Sequence, residues 1–232
     1  MTQPHIFREF DRAMDAFKGD VLNMAGLTRQ SLERAMRSLL ERDIDLARSV
    51  IADDSDVDDL ERKIDQSGMD ILVRFHPVAS DLRMVITSMK MAHNLERISD
   101  HSVNIAKRSK KICKGTALEE AALAEPLYSL ADKLLREALL AYTDSNIELG
   151  ESLKAKDKEL DRLHKQMIAS LGSRLEAAGA RAEGLLHLIF VARSIERIGD
   201  LAVNIGEDAV YLGEARDIRH EHRKAPEERE GL

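Results

Sequence analysis

The chain has 232 residues, of which 44% are apolar and 33% charged, and a formal net charge of −7. Such a balance fits a soluble, well-packed protein and repels nucleic acid, and the chain also lacks the interleaved aromatic and basic residues that would stack and clamp bases. Aromatics make up 3% with no Trp, which favours helix over strand, and the single cysteine, Cys113, excludes an intrachain disulfide framework and a Cys-based zinc site.

The first ten residues carry no apolar signal region, and no later apolar run approaches the roughly 20 residues needed to span a bilayer. A cytoplasmic protein is expected, with peripheral contact to membrane-bound partners left open. The first helical pattern runs from about Phe7 to Ala52, where Leu32, Ala35, Met36, Leu39 and Leu40 supply a three-to-four-residue apolar period. Asp53, Asp54 and Ser55 give a turn and N-cap signal. A second helix follows through Val57, Leu60, Ile64, Ile71 and Leu72, and His76-Pro77 ends it, because the residue before proline is pushed out of the helical region.

A third helix is expected from about Ser80 to Ile112. Its last turns hold Lys107, Arg108, Lys110 and Lys111, cations that oppose the negative end of the helix dipole and so read as a helix terminus before a partner site. Cys113, between Lys111 and Lys114, reads as a spectator thiol. Gly115-Thr116 and Pro126 mark a link to a second half.

That second half repeats the plan. Asp54, Val57, Asp58 and Leu60 align with Asp157, Leu160, Asp161 and Leu163, and Ile44 with Ile147, at an offset of 103 residues. Glu96-Arg97-Ile98-Ser99-Asp100 returns as Glu196-Arg197-Ile198-Gly199-Asp200 at an offset of 100. The change of offset places a small net deletion near the missing His-Pro turn, where loop length is cheap to vary. Faces too apolar to stand alone argue for an all-α fold of two tandem three-helix bundle repeats, 1–115 and 116–216, packed as a six-helix body. The charged tail 217–232 has no apolar period and is expected to be disordered. Its His220-Glu221-His222 is at most a weak metal site.

A helix turns about 100° per residue, so Glu96, Asp100 and Asn104 lie at about 0°, 40° and 80° along one stripe, nearly opposite Met91, Leu95, Ile98 and Ile105. Glu196, Asp200 and Asn204 repeat it, and Glu207 and Asp208 continue it. A solvated acidic face is the plain alternative, but the same oxygen-bearing side chains recur in register, and Val103 and Val203 on the acid side suggest a face that is partly covered. Carboxylate and amide oxygens suit magnesium, manganese or iron, and zinc accepts them too, so ligand type leaves the metal open. Neighbouring helices add Asp58 and Glu61 in the first half and Asp161 and His164 in the second.

With these residues in view, the chain resembles the PhoU family, regulators of phosphate uptake. The resemblance rests on the two Glu-Arg-Ile-(Ser/Gly)-Asp-x-(Ser/Ala)-Val-Asn-Ile segments and on Phe75-His76-Pro77-Val78-Ala79-Ser80-Asp81-Leu82-Arg83. It implies a non-enzymatic homodimer or higher oligomer with metal clusters on Glu96 and Asp100 and on Glu196 and Asp200. It further implies a link between a phosphate ABC transporter, through its ATPase subunit, and a sensor histidine kinase, restraining uptake when phosphate is plentiful. Three positions depart from the family pattern: Ser99 replaces the usual Gly, Lys107 stands where the second copy has Glu207, and His76 replaces a common Gln.

Two other functions compete. A metal-independent helical adaptor keeps the fold without the ions, and a di-iron carboxylate enzyme would pair acids with Glu-x-x-His motifs projecting into the core, which this sequence lacks. No glycine-rich cradle or concentrated Arg cluster suggests a phosphate pocket, so phosphate sensing is expected to be indirect.

Overall fold

The computed structural model describes residues 3–219, with side chains from residue 8 onward. Most of the tail 217–232, including His220-Glu221-His222, lies outside the described residues.

Helix α1, Gln3–Leu40, buries Phe17, Val21, Met24, Leu32, Ala35, Met36 and Leu39 along one face. It stops earlier than the apolar pattern suggests. Arg42 adopts the left-handed region at φ 56°, and Asp43 caps a new helix by accepting 2.9 Å hydrogen bonds from the Asp45 and Leu46 amides. That helix, α2 (Ile44–Ala52), is separated by Asp53 from α3 (Asp54–Phe75). Arg34 braces the break, donating to Asp53 at 2.7 Å and to Ser49 at 2.6 Å. His76 at φ 48° ends α3 ahead of Pro77, where the sequence places the stop, and α4 runs over Ala79–Lys114.

The second half has α5 (Ala124–Thr143), α6 (Ile147–Leu175) and α7 (Ala182–Glu214). Its α5–α6 corner copies the α1–α2 corner: Ser145 takes φ 50° where Arg42 takes 56°, and Asn146 caps the Leu149 amide at 3.0 Å where Asp43 caps α2. Thus α2 and α3 together correspond to the single α6, and the body is two three-helix bundles with one arm broken at Asp53.

Helices α4 and α7 pack along each other at the centre. Helices α1 and α3 close the first bundle on α4, and α5 and α6 close the second on α7. Met91, Leu95, Ile98 and Ile105 of α4 and Leu188, Ile195, Ile198 and Ile205 of α7 are fully buried, each worth about 1.5–3 kcal/mol of transfer free energy. Polar ties cross between the halves: Arg83 donates to the Leu212 carbonyl at 3.2 Å, Arg29 pairs with Asp132 at 3.7 Å, and Ser88 meets the Tyr142 hydroxyl. Among the described residues no helix is long and apolar enough to cross a membrane.

Candidate metal centre

The acid stripes of α4 and α7 are only partly covered: Glu96, Glu196 and Asp200 are half-buried, whereas Asp100 is exposed. Helix α3 lies beside α4 and sends Asp54, Asp58 and Glu61, at i, i+4 and i+7, toward the stripe. His93 Nδ1 of α4 stands 3.1 Å from Glu61 Oε1, and Ser99 Oγ donates to Asp54 Oδ1 at 3.0 Å. The Glu96 carboxyl is pushed above its usual range, first by burial and then by Asp100 and Glu61. One ligand atom each from Glu61, His93 and Glu96 falls within a 4.8 Å group, a spacing compatible with sharing a cation.

The second half repeats this with α6 beside α7. Asp157, Asp161 and His164 occupy the places of Asp54, Asp58 and Glu61, and Glu196 and Asp200 those of Glu96 and Asp100. The Asp157 carboxyl is pushed up to about 6, first by burial and then by Asp200, Asp161 and Glu196. Its Oδ1 is buried without a hydrogen-bond partner among the described residues, and so is His164 Nε2. Arg197 pairs with Asp200 at 2.9 Å and with Glu196 at 3.5 Å, so those two acids are partly answered. Buried polar atoms are seldom left unpaired, and the orphaned Asp157 Oδ1 is one that a cation would satisfy. Among the described residues the first group alone brings three such ligand atoms within 4.8 Å of one another, through Glu61, His93 and Glu96 and without Asp100; the second offers oxygen and imidazole ligands of the same types without that spacing.

Besides His164 for Glu61 and Arg193 for His93, the two groups differ where α4 and α7 meet the flanking helix. Gly199 stands where the first copy has Ser99, and a Cβ added there would come within 2.1 Å of Leu160 Cδ2 and 3.2 Å of Asp157 Oδ1. The first copy has the smaller Val57 in Leu160's place, which makes room for Ser99 and its hydroxyl. Asp54 therefore has a hydrogen-bond donor that Asp157 lacks, although burial still raises its carboxyl. Lys107 also acts on Asp54 from one side, favouring its charged form.

Other sequence candidates lie elsewhere. Asn104 is exposed and lines a groove with Lys107, Arg108 and Lys110, and Asn204 is exposed. Glu207 is buried and paired with Lys154 at 4.0 Å, beside Asp208, which is paired with Lys90 at 3.7 Å. Three members of the groups were not singled out from the sequence: Asp54, Asp157 and His93. The first two were signalled by their alignment in the repeat register. His93 had no such signal, since Arg193 takes its place in the second copy.

A model of the PhoU domain matches the chain twice, over residues 21–109 and 126–209. Similar proteins include the phosphate-specific transport system accessory protein PhoU homolog of Pseudomonas aeruginosa, 32% identical over 217 residues, covering 93% of this chain and 90% of that protein. The homolog of Rhizobium meliloti is 33% identical, covering 91% of this chain and 90% of its own length. The crystal structure of PhoU from Pseudomonas aeruginosa superposes with a TM-score of 0.85 at 31% identity, covering 89% of this chain and all of that one. The phosphate transport system regulatory protein PhoU from Streptococcus pneumoniae shares the fold, with a TM-score of 0.82 at 23% identity over 90% of this chain and 99% of its own.

Proposed function

Because the chain belongs to the PhoU family, we propose that it is a non-enzymatic accessory of phosphate-specific transport whose two acidic groups hold metal ions. The observation that carries this reading is the duplicated carboxylate group of α3 with α4 and of α6 with α7, with the orphaned Asp157 Oδ1 and His164 Nε2 at its second copy. Asp54, Asp58, Glu61, His93, Glu96 and Asp100 would hold one cluster, and Asp157, Asp161, His164, Glu196 and Asp200 the other. A bound di- or trivalent ion, be it iron, zinc, manganese or magnesium, would supply positive charge to these stripes.

The chain's own residues do the rest. Helices α3 and α6 hold the flanking acids rigidly against α4 and α7, so the acidic surface keeps its shape while its charge changes with metal occupancy. Neutralising it would complete a docking face for the ATPase subunit of a phosphate ABC transporter and for a sensor histidine kinase, restraining both when phosphate is plentiful. The protein would act in the cytoplasm as a homodimer. Support comes from the naming of its relatives as accessory proteins of phosphate-specific transport and from a helical body with no membrane-crossing helix among the described residues.

Copurification from cells grown at high phosphate, with and without chelator, tests this reading. Recovery of the transporter ATPase or the kinase that drops on chelation is expected. Recovery unaffected by chelation and by loss of Glu96, Asp100, Glu196 and Asp200 would favour a metal-independent adaptor.

A further inference from the structure

The last turn of α4 and the first turns of α7 wall a cavity of about 330 Å³. Lys111 and Lys114 line it from α4, Arg181 from the turn before α7, and His187 from α7 itself. A second cavity of about 330 Å³ shares Lys111 and Lys114 and adds Lys107, Arg108 and Lys110. In a chain of net charge −7 this end of α4 reverses the sign of the surface. Among the described residues Lys107, Lys110, Lys111 and Lys114 form no ion pair.

His187 makes this more than a basic patch. The residue is only 8% exposed, and Arg108 Nη1 lies 3.3 Å from its Nδ1. A guanidinium can only donate, so Nδ1 accepts and the ring proton sits on Nε2. Burial, Arg108 and Lys111 outweigh the opposing Glu183 carboxylate and hold the imidazole below its usual range, so this neutral tautomer stands at neutral pH. Arg108 is itself fixed over the Phe190 ring at 4.4 Å. Yet Nε2 is buried with no hydrogen-bond partner among the described residues. The Glu183 carboxylate, 3.7 Å away, is beyond hydrogen-bond reach, and with 86% of its side chain exposed it can turn to solvent.

Two further features match this donor. No side chain caps the N-terminus of α7, and a helix N-terminus favours negative charge, although the Ala182 amide donates to the Gly179 carbonyl and Glu183 of the first turn also lines the cavity. Arg181 is anchored by Glu120 at 3.4 Å, which holds its guanidinium at the rim. A buried N–H donor and lysines without ion-pair partners converge on one cavity beside the start of a helix, and a tetrahedral oxyanion answers the donor and the charge together.

The geometry points to a binding site for a phosphate group in this cavity, with Lys111 and Lys114 as its charge partners and His187 Nε2–H as its oriented donor. The group belongs either to inorganic phosphate or to a phosphate monoester. This site lies on residues outside the two acidic groups and goes beyond the metal-dependent docking proposed above.

Calorimetric titration of the full chain with inorganic phosphate and, separately, with adenosine monophosphate tests it, together with nitrogen-edited NMR of the His187 ring. One-site binding with a shift of the His187 Nε2 signal is expected, and the ligand that binds more tightly identifies the source of the group. Lys111→Gln with Lys114→Gln, surface changes that leave the core intact, should weaken both ligands about tenfold or more. Asp100→Asn with Asp200→Asn should leave phosphate binding unchanged, whatever it does to metal content. Absence of binding by either ligand would overturn the assignment. So would equal affinity in the lysine variant, or loss of phosphate binding in the aspartate variant.

Discussion

Ser99 Oγ donates a 3.0 Å hydrogen bond to Asp54 Oδ1, a contact that its counterpart Gly199 cannot offer Asp157. This difference falls on the acid that leads each flanking row, Asp54 in one copy and Asp157 in the other. In the first copy a hydroxyl partly satisfies the acid that leads the α3 row. In the second, Leu160 fills the space over Gly199 and leaves Asp157 Oδ1 orphaned.

Gly199→Ser should therefore be costly by itself. Its Cβ would sit 2.1 Å from the Leu160 side chain, which is fully buried. Overpacking of this kind typically destabilises by about 1–3 kcal/mol. Adding Leu160→Val, which recreates the Ser99 and Val57 pairing of the first copy, should recover most of the loss. Urea denaturation of the single and double variants reads this directly, and equal midpoints for the two would show that Leu160 is not the obstacle.

The same difference predicts unequal metal affinity. Asp157 has no competing donor, and Arg197, which pairs with Asp200 and Glu196, is half-exposed and free to swing to solvent, so the group formed with α6 should fill first on titration of metal-stripped protein. Asp157→Asn should abolish the tighter phase and leave the weaker one. If Asp54→Asn removes the tighter phase instead, the order is reversed.

Much of this was legible in the chain. The apolar period of α4 and α7, the His76 stop and the duplicated Glu-Arg-Ile-x-Asp segments follow from spacing alone. The end of α1 at Leu40 was not, because Glu41-Arg42-Asp43 contains neither Gly nor Pro and the turn depends on Arg42 adopting φ 56°. Its cue lay in the repeat, where Asp43 and Asn146 are both caps. Periodicity placed the acid stripe opposite the core, which is true of α4 taken singly. Val103 on the acid side hinted at partial cover and is indeed buried, but that α3 supplies the cover is a tertiary fact, fixed by how Val57, Ile64 and Ile71 pack.

Stability of the metal-stripped protein should fall as pH rises through the weakly acidic range. Asp157 is pushed up from 3.8 to about 6 in the folded state, so the fold holds its proton more tightly than the unfolded chain does. Its stabilising contribution is complete below 3.8 and is lost as pH climbs through about 6. Allowing for solvent screening of this half-exposed carboxyl, the loss is on the order of 1–2 kcal/mol. Asp54 and Glu96 shift in the same direction. Denaturation midpoints in chelator across this range should decline more steeply for wild type than for Asp157→Asn. Parallel curves would remove Asp157 as the cause.

Lys107→Glu should strengthen metal binding at the first group, since Lys107 favours the charged form of Asp54 but repels an incoming cation. Replacing a nearby positive charge with a negative one at partial exposure should raise affinity about three- to tenfold. The control is Lys110→Glu, about one turn further along α4 and not among the groups acting on Asp54, which should change little. Equal effects of the two would indicate a general field rather than a local one.

Metal content of the purified full chain, measured by mass spectrometry alongside far-ultraviolet circular dichroism, tests the central claim most directly. The comparison is wild type against the variant carrying Glu96→Gln, Asp100→Asn, Glu196→Gln and Asp200→Asn. If the stripes are metal sites, bound ions fall to near zero in the variant while helicity is retained. Unchanged ion stoichiometry in a folded variant would contradict the account.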